Sequence, residues 1–141
     1  MQEDLDRLFR EIMEARKSGE IEKVLSYLAD DIVVEDTAMG KTLHGKVELM
    51  KHGEMLSKAF SNAQPIRFDH LVSGDTVVVY GTAKANHYGD FLGYPATGRE
   101  VEFRVCEVLR FQEGKLQHVR AYYNLFGILT QIGALEHLKA A

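Results

Sequence analysis

The chain has a single cysteine, Cys106. No internal disulfide can hold it together, and no Cys/His spacing around that residue resembles a zinc site. Cys106 is read as a small packing residue in a reducing compartment. Long apolar runs are missing as well: the N-terminal stretch MQEDLDRLFREIMEARKSG is acidic and amphipathic, which suits neither a signal peptide nor a membrane span. There is no basic stripe, because the positive residues are scattered along a chain whose net charge is −4. Nucleic acid is excluded as an expected partner on that ground, since binding it depends on a concentrated basic surface. Repeats and low-complexity tracts are absent too. The expectation is a cytoplasmic protein with no membrane contact.

What is present is an ordinary globular balance, 45% hydrophobic and 27% charged residues. A chain of 141 residues with no internal boundary is expected to form one domain over residues 1–141, large enough to bury a core without disulfides or metal.

From Glu3 to Lys17, Leu5, Leu8, Phe9, Ile12 and Met13 recur at spacings of three and four, predicting an amphipathic helix that ends at Ser18-Gly19. A shorter helix is expected from Glu20 to about Ala29, with Ile21, Val24, Leu25 and Leu28 as its stripe. Ile32–Asp36 reads as a β-branched strand in which Ile32, Val34 and Asp36 share a face. Thr37–Gly45 reads as a loop, and Lys46–Phe60 as a helix with Val47, Met50, Met55, Leu56 and Phe60 on its apolar side. Gly53 inside that helix costs about 1 kcal/mol relative to Ala. It leaves space for something or lets another element pack closely. Pro65–Val72 and Thr76–His87 are predicted strands around a Ser73-Gly74-Asp75 turn. Tyr88–Arg99 is a loop whose Phe91, Leu92 and Tyr94 suggest that it folds over something apolar. Gly127–Lys139 is expected to be a short helix. Helices first and a mainly antiparallel sheet afterwards is an α+β pattern, and a curved sheet closing on helices can leave a hollow.

The stretch Glu100–Phe126 holds the residue most out of place. It reads as two strands joined at Gln112-Glu113-Gly114-Lys115. Alternate residues Val101, Phe103, Val105, Glu107, Leu109 and Phe111 form the apolar face of the first strand, with Glu107 in its middle. A lone charged carboxylate on a core face is costly unless it is paired, hydrogen-bonded or neutral. Glu107 therefore has either a function or a hidden structural partner. On the second strand Gln117, Val119, Ala121, Tyr123 and Leu125 take the inward parity. His118, Arg120, Tyr122 and Asn124 take the other, so an outer sheet face or a subunit contact is expected for His118. Arg104 and Arg110 are assigned to the same solvated or subunit-facing surface. His44, His52, His70 and His137 show no metal-ligand spacing, and no metal site is expected.

Two segments resemble a known family. Ile21–Gly45, IEKVLSYLADDIVVEDTAMGKTLHG, is similar to the corresponding part of bacterial ketosteroid isomerases, in LADD, VVED and HG above all, and CEVLRFQEGKLQHVRAYY resembles the end of the same proteins. Together they cover about half of the chain, and the order of elements agrees over nearly all of it. HYGDFLGYPATGR and LFGILTQIG are more like the SnoaL-like polyketide cyclase branch. The resemblance implies the cone-like fold of the nuclear transport factor-2 superfamily, in which a curved mainly antiparallel sheet and N-terminal helices enclose an apolar pocket, usually in a homodimer.

It also implies roles. Asp36 falls where the isomerases keep their general base, and Glu107 where they keep a protonated aspartic acid that donates to the developing oxyanion. The departures are equally specific. The isomerases' oxyanion tyrosine on the first helix falls at Ile12, their other pocket tyrosines at Leu28 and Gly53, and the cyclases' acidic residue on the last strand at Ala121. The resulting expectation is a cofactor-independent acid–base enzyme acting on a small hydrophobic carbonyl compound, steroid- or polyketide-like. Asp36 and Glu107 are the expected catalytic pair, Glu107 with a raised pKa. Ile12, Tyr123, Val119, Ala121, Phe91, His87 and Val105 are expected against the ligand, with His87 at the pocket mouth or stabilising the turn that follows it. The alternatives are a non-catalytic apolar-ligand-binding domain and a SnoaL-like cyclase or hydratase using other polar residues.

Overall fold

A computed structural model describes residues 2–136; the expected helix end at 137–139 and His137 lie outside them. The elements run α1 (Gln2–Lys17), α2 (Ile21–Ser26), β1 (Leu28–Asp36), β2 (Lys41–His44), α3 (Gly45–Ala59), β3 (Phe60–Ser73), β4 (Thr76–His87), β5 (Glu100–Gln112), β6 (Lys115–Tyr123) and α4 (Leu125–Gln131). The strands make one six-stranded curved sheet in the order β2-β1-β6-β5-β4-β3. Only β1 and β6 run parallel; the other neighbours are antiparallel.

The amphipathic reading of α1 holds, with Leu5, Phe9, Ile12 and Ala15 buried. Its last turn carries Arg16 and Lys17, which suit the negative end of the helix dipole. Gly19 then takes a left-handed conformation at φ 73°, which ends the helix without the cost a side chain would add.

The second helix is shorter than expected. It stops at Ser26, and Leu28 belongs to the sheet, opposite Leu116, whose N–H donates to the Tyr27 carbonyl at 2.8 Å. Leu28 suits a helix stripe and a strand face equally well as a residue; burial in the sheet core decides. The loop expected at Thr37–Gly45 contains β2, an antiparallel partner of β1 from Val33↔His44 to Asp36↔Lys41. This edge strand is mostly exposed, so its sequence carries no apolar alternation to announce it. β3 starts at Phe60 rather than Pro65. Register shifts at Ser61/Gln64 and Pro65/Arg67, with Asn62 at φ 56°, break the alternation that would have extended the strand back.

The α3 stripe also needs correction. Val47 and Met50 are exposed, Met55 and Leu56 are half-buried and Phe60 is buried as expected, and Leu49, His52 and Ala59 complete the inward side. Gly53 is exposed, and a Cβ there would meet nothing within 4 Å, so it neither opens a pocket nor admits a close neighbour.

The core lies on one face of the sheet in two clusters. The first joins α1 to the β1, β4, β5 and β6 side chains Ile32, Val34, Val77, Leu109, Phe111 and Val119. The second joins the end of α3 and α4 to Phe60, Ala85, Phe91 and Val101. The opposite face leaves Leu71, Tyr80 and Tyr122 exposed.

Candidate functional site

Strand register sets the site. Asp36 on β1 pairs with Ala121 on β6, Ala121 with Glu107 on β5, and Glu107 with Val79 on β4. Directly opposite residues share a face, and strands lie about 4.8 Å apart. Asp36 and Glu107 therefore stand on the same inner face, two strand spacings apart, with only the methyl group of Ala121 between them. One row along, Tyr123 pairs with Val105, again on this face. This is the face the parity of β5 indicated.

Asp36 is 3% exposed and well supplied with donors. Its Oδ2 accepts from the Tyr123 hydroxyl and bonds His52 Nε2, both at 2.8 Å. Its Oδ1 accepts from the Met39 backbone N–H at 3.0 Å, tying the carboxylate to the turn that leads into β2. With Asp36 ionised, the hydrogen between it and the imidazole sits on Nε2, because a carboxylate only accepts. Nδ1 of His52 makes no hydrogen bond among the described residues. Hydrogen bonds to a charged group are each worth about 1.5–3 kcal/mol, so the arrangement fixes the carboxylate in orientation as well as offsetting its burial. Burial, reinforced by the hydrogen bond and the charge of Asp36, pushes the Tyr123 phenol upward, keeping it a donor.

Glu107 is the opposite case. It makes no hydrogen bond or ion pair among the described residues, and desolvation raises its pKa, with the positive charge of Arg16 on α1 acting against that rise. Among the described residues the hidden structural partner considered for it is absent. In its protonated form this carboxyl is a hydrogen-bond donor on the sheet face it shares with Ala121.

The remaining expected ligand residues divide. Ile12 is buried in the first core cluster, where an isoleucine offers no donor, and Val119 packs in the same cluster. Val105 is half-buried beside Tyr123. Phe91 and His87 are enclosed in and beside the second cluster, away from the Asp36 row. His87 Nδ1 meets the Thr97 hydroxyl at 2.9 Å and accepts the Thr97 N–H at 3.3 Å, while Phe60 lies against its ring. Its Nε2 is buried without a hydrogen-bond partner among the described residues. Phe91 and Tyr94 exchange backbone hydrogen bonds at 2.9 Å, and Phe91 packs on Phe60, so the loop does cover apolar surface.

His118 sits on the outer sheet face, where its Nε2 and the Arg120 Nε both meet Glu35 Oε2, at 2.8 and 3.1 Å. Arg104, Arg110 and Tyr122 are exposed on that face. His70 bonds Asp6 at 2.5 Å. Among the described residues no three His, Cys, Asp or Glu side chains converge as a metal site would require, and no helix is long and apolar enough to cross a membrane.

Sequence reasoning missed His52 and the Met39 N–H. Metal-ligand spacing, the criterion the sequence offers for His52, does not detect a carboxylate partner. The signal that finds it is its place in the inward stripe of α3, between Leu49 and Leu56, where a polar ring needs a buried partner.

In comparison with solved structures, AclR from Streptomyces galilaeus, provisionally a hydroxylase, is 24% identical with a TM-score of 0.81 over 96% of this chain and 99% of that one. IdmH from Streptomyces antibioticus, provisionally a polyketide cyclase, is 20% identical with a TM-score of 0.76 over 92% and 98%. A protein from Xanthomonas campestris pv. campestris, also provisionally a polyketide cyclase, is 18% identical with a TM-score of 0.82 over 93% and 98%. Likeness at these identities shows a shared fold. No curated protein matches the chain. Residues 3–132 match SnoaL-like polyketide cyclase as a family, and with nearly the whole sequence inside that match the chain belongs to the SnoaL-like polyketide cyclase family.

Proposed function

We propose that the protein is an acid–base enzyme acting without cofactor on a small hydrophobic carbonyl compound, steroid- or polyketide-like. The observation that carries the reading is the pairing, on one sheet face, of a carboxylate fixed by donors with a carboxyl that has no partner among the described residues and whose pKa burial raises. Asp36 Oδ1 accepts one hydrogen bond and Oδ2 accepts two. The lone pair left on Oδ1 takes the proton from the carbon next to the carbonyl. Glu107 donates to the carbonyl oxygen as negative charge develops there. Proton transfer by a placed carboxylate is worth about 10²–10⁴ in rate, and a preorganised donor adds a comparable factor.

The test is exchange of the α-hydrogens of a panel of apolar ketones, including an unsaturated steroid ketone, in deuterated buffer. Asp36→Asn should slow exchange at least 100-fold while leaving ketone binding in place. Equal loss of binding and exchange would assign Asp36 a structural role. Tight binding of a ketone with no exchange in the native protein favours a second reading, a non-catalytic binding domain. The observation behind that alternative is Ile12, a buried hydrocarbon where the related isomerases place a donor.

We further propose that two copies associate through the outer sheet face. Leu71, Tyr80 and Tyr122 are 62%, 42% and 44% exposed there. Arginines and Glu35 are interspersed among them, so a second copy of this surface could satisfy both.

A further inference from the structure

Between α1 and the β3–β4 hairpin runs an open groove of about 340 Å³. Its apolar walls are Phe9 and Met13 on the helix, Phe68 on β3 and Val79 on β4. One end is closed by a polar knot, in which Asp6 bonds His70 at 2.5 Å and receives Arg10 at 2.8 Å, with the Phe9 and His70 rings 4.7 Å apart. Toward the last turn of α1 no polar contact ties the helix to β3 among the described residues, and the groove opens past Glu14 and Lys17.

Two features bear on what the groove can hold. Phe68 is 42% exposed on the inner sheet face, beside the half-buried His70 and Val79. Its ring lies on the bare backbone of β4 at Gly81: any side chain there would put a Cβ 2.6 Å from the ring and closer still to the Arg67 carbonyl. Glycine at this position lets the aromatic surface lie flat and face the groove. The second feature is the floor. Val79 is the direct cross-strand neighbour of Glu107, so the groove begins one strand spacing from the unpartnered carboxyl. Charge gives no selection: Arg10 is held by Asp6, Asp69 stands 3.9 Å from Arg67, and Glu14 and Lys17 on the rim offset one another.

We propose that this groove is a second binding site for the uncharged, planar, multi-ring part of an extended ligand whose carbonyl is held at Glu107, with Phe68 as its stacking surface and as the residue that selects for ligand length. The volume accommodates rings beyond the one that reaches the carboxyl, at the lower end of the range for small-molecule sites. The placement of the carbonyl rests on the acid–base reading above, but occupancy of the groove does not require turnover.

The experiment measures the affinity of the full-length protein for acetophenone, 2-acetylnaphthalene and 2-acetylanthracene, which share one acetyl group and differ in ring count. Affinity should rise with each ring in the native protein. Phe68→Ala should weaken the three-ring ketone about 10-fold, the scale of a lost aromatic contact plus its buried area, and leave acetophenone unchanged. Met13→Glu, which puts a charge into the opposite wall, should flatten the series in the same way. The proposal is overturned if affinity does not rise with ring count, if none of the three ketones binds, or if either variant weakens all three equally. A rising series that the two variants flatten, found together with no deuterium exchange in any ketone, would reject the chemistry and uphold the groove.

Discussion

Replacing Glu107 by glutamine removes a carboxyl that folding has taken partly out of water, while keeping its shape and its capacity to donate. In the native protein desolvation raises the Glu107 pKa above its ordinary value of 4.5, with Arg16 opposing the rise. The folded state therefore holds the proton over a pH window in which the unfolded chain has released it. Stability falls with pH wherever the native state binds more protons, by about 1.4 kcal/mol per pH unit for one proton. The contribution is fully present below pH 4.5 and is lost as pH rises through the folded value. Glu107→Gln has no such term. The variant and the native protein should match at pH 4 and separate as pH rises, the variant being more stable.

For a domain of this size about 1 kcal/mol corresponds to roughly 3–5 °C in Tm, so thermal unfolding at half-unit steps from pH 4 to 9 resolves the divergence. Arg16→Gln in the native background should extend the window upward, because it removes the charge that opposes the shift. Parallel curves for Glu107→Gln and native protein over the whole range would mean that Glu107 titrates alike in both states. The donor role would then fail with the argument from burial.

Tyr123→Phe deletes the hydroxyl that donates to Asp36. It should cost about 1–3 kcal/mol in urea unfolding at pH 7, and a cost near zero would show that the bond contributes nothing net. Tyr122→Glu places a charge on the exposed outer face and should convert a dimer to a monomer by light scattering at micromolar concentration. A native protein that is already monomeric would reject the proposed subunit contact.

Most of the fold was legible because its elements are periodic. The β5 alternation named the inner face residue by residue, and burial of Val101, Leu109 and Phe111 follows it. The α1 stripe did the same. Misreadings fall where local pattern and tertiary context conflict. α2 ends early because Leu28 is drawn into the sheet, β2 is an exposed edge with no pattern, and the bulged start of β3 interrupts its own alternation. On α3, hydrophobicity favours Val47 and Met50, which are exposed, over Leu49 and His52, which face inward beside the expected Leu56. A helix with apolar residues at Val47, Leu49, Met50, Met55 and Leu56, around much of its circumference, does not announce its buried side.

The site was half legible for a related reason. A carboxylate in an apolar strand face can be seen in one segment, so Glu107 and Asp36 stood out from sequence alone. Partners distant in sequence cannot be seen that way: His52 and Tyr123 lie 16 and 87 residues from Asp36 and meet it only because α3 and β6 converge on the end of β1. The sequence by itself determined an α+β chain with two inward carboxyl groups and an apolar surround, since side-chain alternation and helical spacing are local properties. The tertiary structure decided that, among the described residues, Asp36 would be held by three donors and Glu107 by none. Strand register and helix packing, which no single segment encodes, fix which polar groups come within hydrogen-bonding distance.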